Sequence, residues 1–85
     1  MSKMEKARER ILAKSKDYTY SEAKYFLSQI GFKEYTKGKT SGSRVKFYRE
    51  TDGRIILLHK PHPGDTMKMG AIKALHDYLK RLGEL

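Results

Sequence analysis

The sequence predicts an α+β fold, a two-layer sandwich in which helices pack on a three-stranded antiparallel sheet. Two observations predict it. Apolar residues recur at helical spacing near both ends of the 85-residue chain, and the middle shows strand-like alternation interrupted by turn signals. The predicted order is helix, helix, strand, strand, strand, helix, which two packed layers can accommodate. A chain this short is expected to form one modest core.

The first predicted helix runs from Ser2 to about Ser15. Ser2 and Glu5 have the spacing of a capping box, in which each residue satisfies a backbone N–H of the other. The apolar stripe that follows is thin, so we expect a peripheral helix. We therefore predict that residues 1–17 form an N-terminal extension and residues 18–85 form the main domain.

The second predicted helix begins after Thr19, because Glu22 lies three residues later and repeats the capping pattern. Apolar residues then follow at helical spacing, at Ala23, Phe26, Leu27 and Ile30. Gly31 is placed where a helix ends in a left-handed residue, a conformation that glycine adopts without strain. The sequence thus predicts a helix from Thr19 to about Ile30.

Three short strands are predicted next. The first spans Phe32 to Thr36 and is separated from the second by a loop, Lys37 to Ser43, that contains no apolar side chain. The second, Arg44 to Arg49, alternates, with Val45 and Phe47 on one face and Lys46 and Tyr48 on the other. The third, Ile55 to Leu58, follows an Asp52-Gly53 turn signal. Its continuous apolar run predicts a well-covered strand.

The last predicted helix follows Pro61 and Pro63, which end the third strand. Its apolar residues recur at helical spacing, at Ala71, Ile72, Leu75, Tyr78, Leu79 and Leu82. Gly83 stops it. The helix supplies the second long apolar face that the core needs.

Charge narrows the classes of function. Lys and Arg number 19 against 10 Asp and Glu, a formal net charge of +9. A surface this basic predicts a polyanionic partner, either nucleic acid or an anionic membrane. No segment approaches the roughly 20 apolar residues of a membrane span, and the charged N-terminus lacks the apolar core of a secretory signal. We therefore expect a cytoplasmic protein.

The residue types argue against metal and cofactor chemistry. The chain has no cysteine, which excludes disulfides and thiolate metal sites. Its three histidines lack the spacing of a zinc site. Gly38-Lys39-Thr40 resembles the end of a nucleotide-binding P-loop, but Lys33 stands where the first glycine belongs and a strand follows instead of a helix. We expect no metal and no small-molecule cofactor.

The segment from Lys37 to Lys46 is the predicted binding surface. Gly38 and Gly42 let the main chain approach a phosphate closely, and hydroxyls such as that of Ser43 can donate to it. Its positive charges are Lys37, Lys39, Arg44 and Lys46. Each phosphate that they neutralise releases counterions, which favours binding. A flexible, solvated loop is the alternative interpretation.

Tyrosines near this segment are candidates for stacking on unpaired bases. Tyr48 ranks first, because alternation places it on the same strand face as Lys46. Tyr35 and Tyr25 are further candidates. Packing within the protein is the equally weighted alternative.

Two histidines, His59 and His62, flank Lys60-Pro61 at the end of the third strand. The proline restrains the backbone there. A histidine beside cationic side chains can act as general acid or base near neutral pH. The alternative is that the histidine has only a structural role in the turn. The residue types alone favour this alternative. Lys60 joins the residues of the predicted binding surface.

Several of these segments resemble the HicA family, the toxin half of HicAB toxin–antitoxin pairs. The similarity extends from about Tyr18 to Leu85 and leaves the first helix outside it. Its features are the Thr-Tyr-Ser-Glu-Ala helix start, the Leu-Ser-Gln-Ile-Gly-Phe step, Gly42-Ser43 before a strand, the Pro61-His62-Pro63-Gly64 turn and the Gly70-Ala71-Ile72 helix entry.

The resemblance implies an α-β-β-β-α fold like that of double-stranded-RNA-binding domains, here with an extra N-terminal helix. It also implies action on messenger RNA. Toxins of this type inhibit translation, typically as endoribonucleases that cleave mRNA independently of the ribosome, and a HicB antitoxin neutralises them by covering the active face. RNA and a HicB-like antitoxin are therefore the expected partners.

One residue departs from the family pattern. The catalytic histidine of the family usually follows the Gly-Ser pair, where this chain has Arg44. Arginine can stabilise a charged phosphorane, but it stays protonated and cannot accept a proton. The family's second recurring histidine matches His62, which is therefore the leading acid/base candidate, with His59 across the strand end as another.

Several alternatives stay open at this stage. The toxin can cleave RNA through a relocated histidine, or cleave weakly through positioning and electrostatics by Arg44. It can also act as a non-catalytic RNA-binding module by occlusion. A binder of membrane surfaces or acidic proteins is a third class, which the thin apolar face of the first helix disfavours.

Overall fold

The computed structural model describes residues 2–35, 44–61 and 64–85, and these confirm the predicted α+β order. The helices are α1 (Lys3–Leu12), α2 (Tyr20–Gln29) and α3 (Met69–Arg81), and the strands are β1 (Lys33–Tyr35), β2 (Arg44–Arg49) and β3 (Arg54–His59). The strands form an antiparallel sheet in the order β1-β2-β3. The α-β-β-β-α arrangement with an additional N-terminal helix is therefore confirmed.

Both predicted N-terminal caps form. The hydroxyl of Ser2 accepts the backbone N–H of Glu5 at 3.1 Å. At α2 the capping box is reciprocal: the N–H of Glu22 donates to Thr19 Oγ1 at 3.1 Å, and the N–H of Thr19 donates to Glu22 Oε1 at 3.3 Å. The α1 helix ends before the predicted Ser15, because the backbone of Lys14 is left-handed, with φ of +51°.

Packing of α1 is firmer than its thin apolar stripe predicts. Ile11 is fully buried, and Ala7 is buried beside it in the common core. The helix packs on both α2 and α3. Arg10 adds a polar link, because its guanidinium donates to the carboxylates of Glu22 and Asp17. The expectation of a peripheral helix is therefore wrong, since α1 is part of the core.

One face of the sheet is buried against the helices. Phe47, Ile56 and Leu58 point into the core cluster, which also contains residues of α1, α2 and α3, among them Phe26 and Leu75. Residues between them along each strand point the other way. The helices therefore cover one side of the sheet and leave the other side open.

The prediction that Ile55 to Leu58 is well covered is wrong for alternate residues. Ile56 and Leu58 are each 5% exposed, whereas Ile55 is 43% and Leu57 is 56% exposed. A continuous apolar run shows that a strand is hydrophobic, but it does not show how many of its faces are covered. The exposed pair is therefore a feature of the surface.

Arg49 is a buried cation on the core side of β2. Its guanidinium donates to Asp52 Oδ1 and Oδ2 at 3.1 and 2.7 Å, to the carbonyl of Ile30 at 3.1 Å and to Glu84 Oε2 at 2.9 Å. It also lies 4.7 Å from the centroid of the Phe32 ring. The hydrogen bond from Arg49 lowers the pKa of the Asp52 carboxyl. This cluster ties the end of α2 to the β2–β3 turn and the C-terminal segment.

Candidate nucleic-acid interface

The sheet has a surface turned away from the helices, which we call the open face. Residues directly opposite each other on paired strands project to the same side, and alternate residues along a strand share a side. The strand register therefore assigns the open face its members, which are Lys33, Tyr35, Arg44, Lys46, Tyr48, Ile55, Leu57 and His59.

Cross-strand rows order these side chains. One row is Tyr35, Lys46 and Leu57, the next is Lys33, Tyr48 and Ile55, and the end of the sheet pairs Arg44 with His59. In the first row, Lys46 Nζ lies 5.1 Å from the centroid of the Tyr35 ring, a cation–π contact. Cations thus alternate with aromatic and aliphatic side chains across the face.

Positive charge on the open face is not balanced by acidic side chains. Lys33, Arg44 and Lys46 are its cations, and none of its members is Asp or Glu. Over residues 2–35, 44–61 and 64–85 these three make no salt bridge, and the remaining residues of the chain include no Asp or Glu. Glu34 points to the other side, where it pairs with Lys24 at 2.9 Å. The charge of the open face is therefore available to a polyanion.

Several residues predicted to bind RNA lie together here. The structure places Arg44, Lys46 and Tyr48 on the open face, and Lys60 is exposed directly after β3. The other residues of the predicted site fall outside the described residues, and these are Lys37, Lys39, Ser43 and His62.

Tyrosines divide between the two sides of the molecule. Tyr35 is 42% exposed on the open face, whereas Tyr25 lies on α2 with Lys3 Nζ 4.3 Å from its ring centroid. Burial raises the pKa of Tyr20 to about 12, and it raises the pKa of Tyr18 still further. Both of these phenols stay protonated at neutral pH, so neither serves as an acid/base group.

A basic concavity of about 460 Å³ lies between α1 and α2. Of its three cations, Arg10 is engaged within the protein, because it pairs with Glu22 and Asp17. This groove therefore offers less free charge than the open face.

The described histidines occupy different environments. His59 is exposed and stands directly opposite Arg44 at one end of the sheet. His76 lies on α3, where its Nδ1 is 3.0 Å from Asp77 Oδ1, a contact that lowers the pKa of the Asp77 carboxyl. His59 is thus the one that shares a surface with the cations.

Sequence reasoning missed Lys33, Ile55 and Leu57 as members of this surface. For Ile55 and Leu57 the signal lies in the register, because residues 50–53 form the β2–β3 turn and the pairing counts outward from Arg49 and Arg54. Lys33 joins the face through the separate pairing of β1 with β2. The alternation of β2 by itself identifies only the residues that β2 contributes to the open face. The length of the β2–β3 turn is needed to identify those that β3 contributes.

Membrane spans and metal clusters are both absent from the described segments. Across residues 2–35, 44–61 and 64–85, no helix is long and apolar enough to cross a membrane. The same residues contain no group of three or more His, Asp or Glu side chains arranged to hold a metal ion. Ala7 and Ile11, the buried residues of α1, pack inside the core.

The fold and the open face define a small α+β protein with a basic, aromatic sheet surface. A family model described as the HicA toxin of bacterial toxin–antitoxin systems matches residues 20–83, about three quarters of the chain. The chain therefore belongs to the HicA toxin family, as the resemblance of its motifs predicts. Family membership implies an antitoxin as its partner. No curated protein and no solved structure gave a significant match.

Proposed function

We propose that this toxin binds mRNA on its open face and inhibits translation by cleaving the bound strand independently of the ribosome. The observation that carries the proposal is one sheet surface on which cations without salt bridges are interleaved with the exposed Tyr35 and the half-buried Tyr48. Such a surface suits single-stranded RNA, because cations neutralise its phosphates and aromatic rings stack on its unpaired bases. This action places the toxin in the cytoplasm.

An RNA strand that follows β2 across the open face would meet two cations in succession. Arg44 and Lys46 are two residues apart on β2, roughly 7 Å along the strand, and Tyr48 continues the same line as a stacking platform. Lys60 lies at the Arg44 end of the sheet. Lys37, Lys39 and Ser43, which precede Arg44 in the chain, remain predicted phosphate contacts.

In this proposal Arg44 stabilises the negative charge that develops on the phosphoryl oxygens during cleavage. Its planar guanidinium matches two phosphate oxygens and keeps its charge at any physiological pH. His62, three residues after the end of β3, remains the predicted acid/base residue from the family pattern. Proton transfer requires a histidine in addition to Arg44.

Binding without cleavage is the second candidate function. The observation that favours it is the arginine at position 44, which cannot accept a proton from the attacking hydroxyl. In that case the toxin arrests translation by occupying the message. Expression of the toxin alone, followed by mapping of RNA ends, separates the two functions: new ends accompany growth arrest only if the toxin cleaves.

The open face also suits the antitoxin. Ile55 and Leu57 form an exposed apolar patch on the edge strand β3, and Arg44 and Lys46 lie beside it on the central strand β2. Protein interfaces commonly combine apolar contacts with polar ones, and unbalanced positive charge next to the apolar patch calls for an acidic partner. We propose that the antitoxin covers the open face and thereby excludes RNA.

Removing charge from the open face should weaken RNA binding and its dependence on salt. For Arg44→Ala combined with Lys46→Ala, we expect the slope of log affinity against log salt to flatten by about 0.7 for each phosphate that is no longer neutralised. Fluorescence anisotropy with a labelled single-stranded RNA measures both quantities. Lys6→Ala, which removes an exposed lysine of α1, is the matched control. An unchanged slope in the double variant would place RNA elsewhere.

A further inference from the structure

We propose that His59 is the general base of RNA cleavage and that it works with Arg44 as a cross-strand pair. This inference rests on the proposed function, because it names a catalytic residue for the same site. Its foundation is the register, in which Arg44 on β2 stands directly opposite His59 on β3. Both side chains are exposed on the open face.

Distance favours joint action on one phosphodiester. Directly opposite residues of an antiparallel pair have Cβ atoms about 4.5–5.5 Å apart and project to the same side. A phosphate held by the Arg44 guanidinium therefore lies within reach of the His59 imidazole. Lys46, two residues along β2 from Arg44, can hold the neighbouring phosphate.

His59 also borders a concavity that could hold part of a nucleotide. The space between β3 and α3 has a volume of about 420 Å³, and its walls include Leu57, Ala71 and Ala74 beside His59. Small apolar residues leave room for a ribose or a base next to the imidazole. Arg44 lies on the other side of His59 from this concavity. An RNA strand that contacts both Arg44 and the concavity would therefore bring a 2′-hydroxyl to the imidazole.

The reaction assigned to this pair is an internal transesterification. The neutral imidazole of His59 accepts the proton of the 2′-hydroxyl, whose oxygen forms a bond to the adjacent phosphorus. The bond from phosphorus to the 5′-oxygen of the next nucleotide breaks, water protonates that leaving oxygen, and the hydroxide left behind takes the proton from His59. Arg44 donates hydrogen bonds to the phosphoryl oxygens throughout. The products are a 2′,3′-cyclic phosphate and a free 5′-hydroxyl.

Other titratable groups of the described residues fit this role less well. His76 lies on α3 against Asp77 and is absent from the open face. The Tyr18 and Tyr20 phenols are buried. His59 is thus the proton acceptor that the described structure places beside a phosphate-binding arginine.

The first experiment compares RNA cleavage by wild type and His59→Ala. Loss of a general base lowers cleavage by roughly 10²- to 10⁴-fold, and we expect RNA affinity to change by less than about threefold, because charge on the open face is retained. His76→Ala is the matched control and should cleave like wild type. Far-ultraviolet circular dichroism verifies that each variant is folded.

Two further experiments separate catalysis from a structural role. Added imidazole should restore part of the cleavage that His59→Ala removes, because a small base can fill the space. His59→Gln keeps a polar side chain at this position but cannot accept the proton. We expect it to be folded and to cleave as poorly as His59→Ala, which would not occur if His59 served only to fold the protein.

Failure of this inference is distinguishable from failure of the proposed function. If wild type and His59→Ala cleave equally while His62→Ala does not, the base is not His59 and the proposed function stands. If wild type binds RNA but leaves it intact, both the nuclease activity and the role of His59 are refuted. If the wild type neither binds nor cleaves RNA, the proposed function itself is wrong.

Discussion

Replacing Arg49 by alanine is expected to lower the free energy of unfolding by about 3 kcal/mol. Removing one partner of a buried ion pair typically destabilises a protein by about 3–5 kcal/mol. The lower end applies here because Asp52 and Glu84, which would be left without their partner, keep partial access to water. The variant also lacks the hydrogen bond to the Ile30 carbonyl. Urea unfolding followed by circular dichroism measures the change.

Arg54 offers a matched control for this prediction. It stands opposite Arg49 and also contacts Asp52, at 3.8 Å, but its side chain is largely exposed. Exposed ion pairs contribute about 0–1 kcal/mol, so Arg54→Ala should have a small effect. Equal destabilisation in the two variants would show that the buried cluster has no special role.

Lowering the pH should reveal how much the Arg49 cluster contributes to the stability of the fold. Because Arg49 lowers the pKa of Asp52 in the folded protein, this interaction stabilises the fold above the unfolded carboxyl pKa of about 3.9. The stabilisation is lost as pH falls through the lower folded pKa. Wild type should therefore lose stability below about pH 4 more steeply than Arg49→Ala does.

Replacing Leu57 by serine is expected to weaken antitoxin binding by roughly 10- to 30-fold, about 1.4–2 kcal/mol. Leu57 is the most exposed large apolar side chain of the open face. Burial of such a side chain contributes to association through the hydrophobic effect, whereas RNA binding depends mainly on the neighbouring cations. RNA affinity should therefore change less than antitoxin affinity. Titration calorimetry with purified antitoxin measures the first effect.

Leu12→Ser supplies the control, because Leu12 is a comparably exposed leucine on α1, outside the open face. It should leave antitoxin affinity unchanged. In cells, the Leu57→Ser toxin should arrest growth at antitoxin levels that protect against wild type. Normal antitoxin affinity of Leu57→Ser would show that the antitoxin binds another surface.

Local signals predicted much of the fold because they act over a few residues. The Thr19 and Glu22 pair defines the start of α2, and Gly31, with φ of +98°, ends it as expected. The alternation of β2 placed Lys46 and Tyr48 on one face without any knowledge of strand pairing. The motifs also predicted the family that the chain belongs to.

Features that depend on strand pairing or distant contacts were not predictable in the same way. The Arg49 cluster joins residues far apart in the chain, so no local pattern reveals that this arginine is buried. The apolar run of β3 suggested two covered faces, but the helices cover one. The pairing of His59 with Arg44 follows from the register, which depends on how many residues the β2–β3 turn contains.

The most direct test of the open face as the RNA site is an amide NMR titration with a short, 2′-O-methylated single-stranded RNA, which the toxin cannot cleave by transesterification. We predict that chemical shifts change most along β2 and β3, centred on Arg44, Lys46 and His59. Shift changes confined to the α1–α2 groove around Lys3 and Lys6, with the amide shifts of β2 and β3 unchanged, would contradict the proposal that RNA binds the open face.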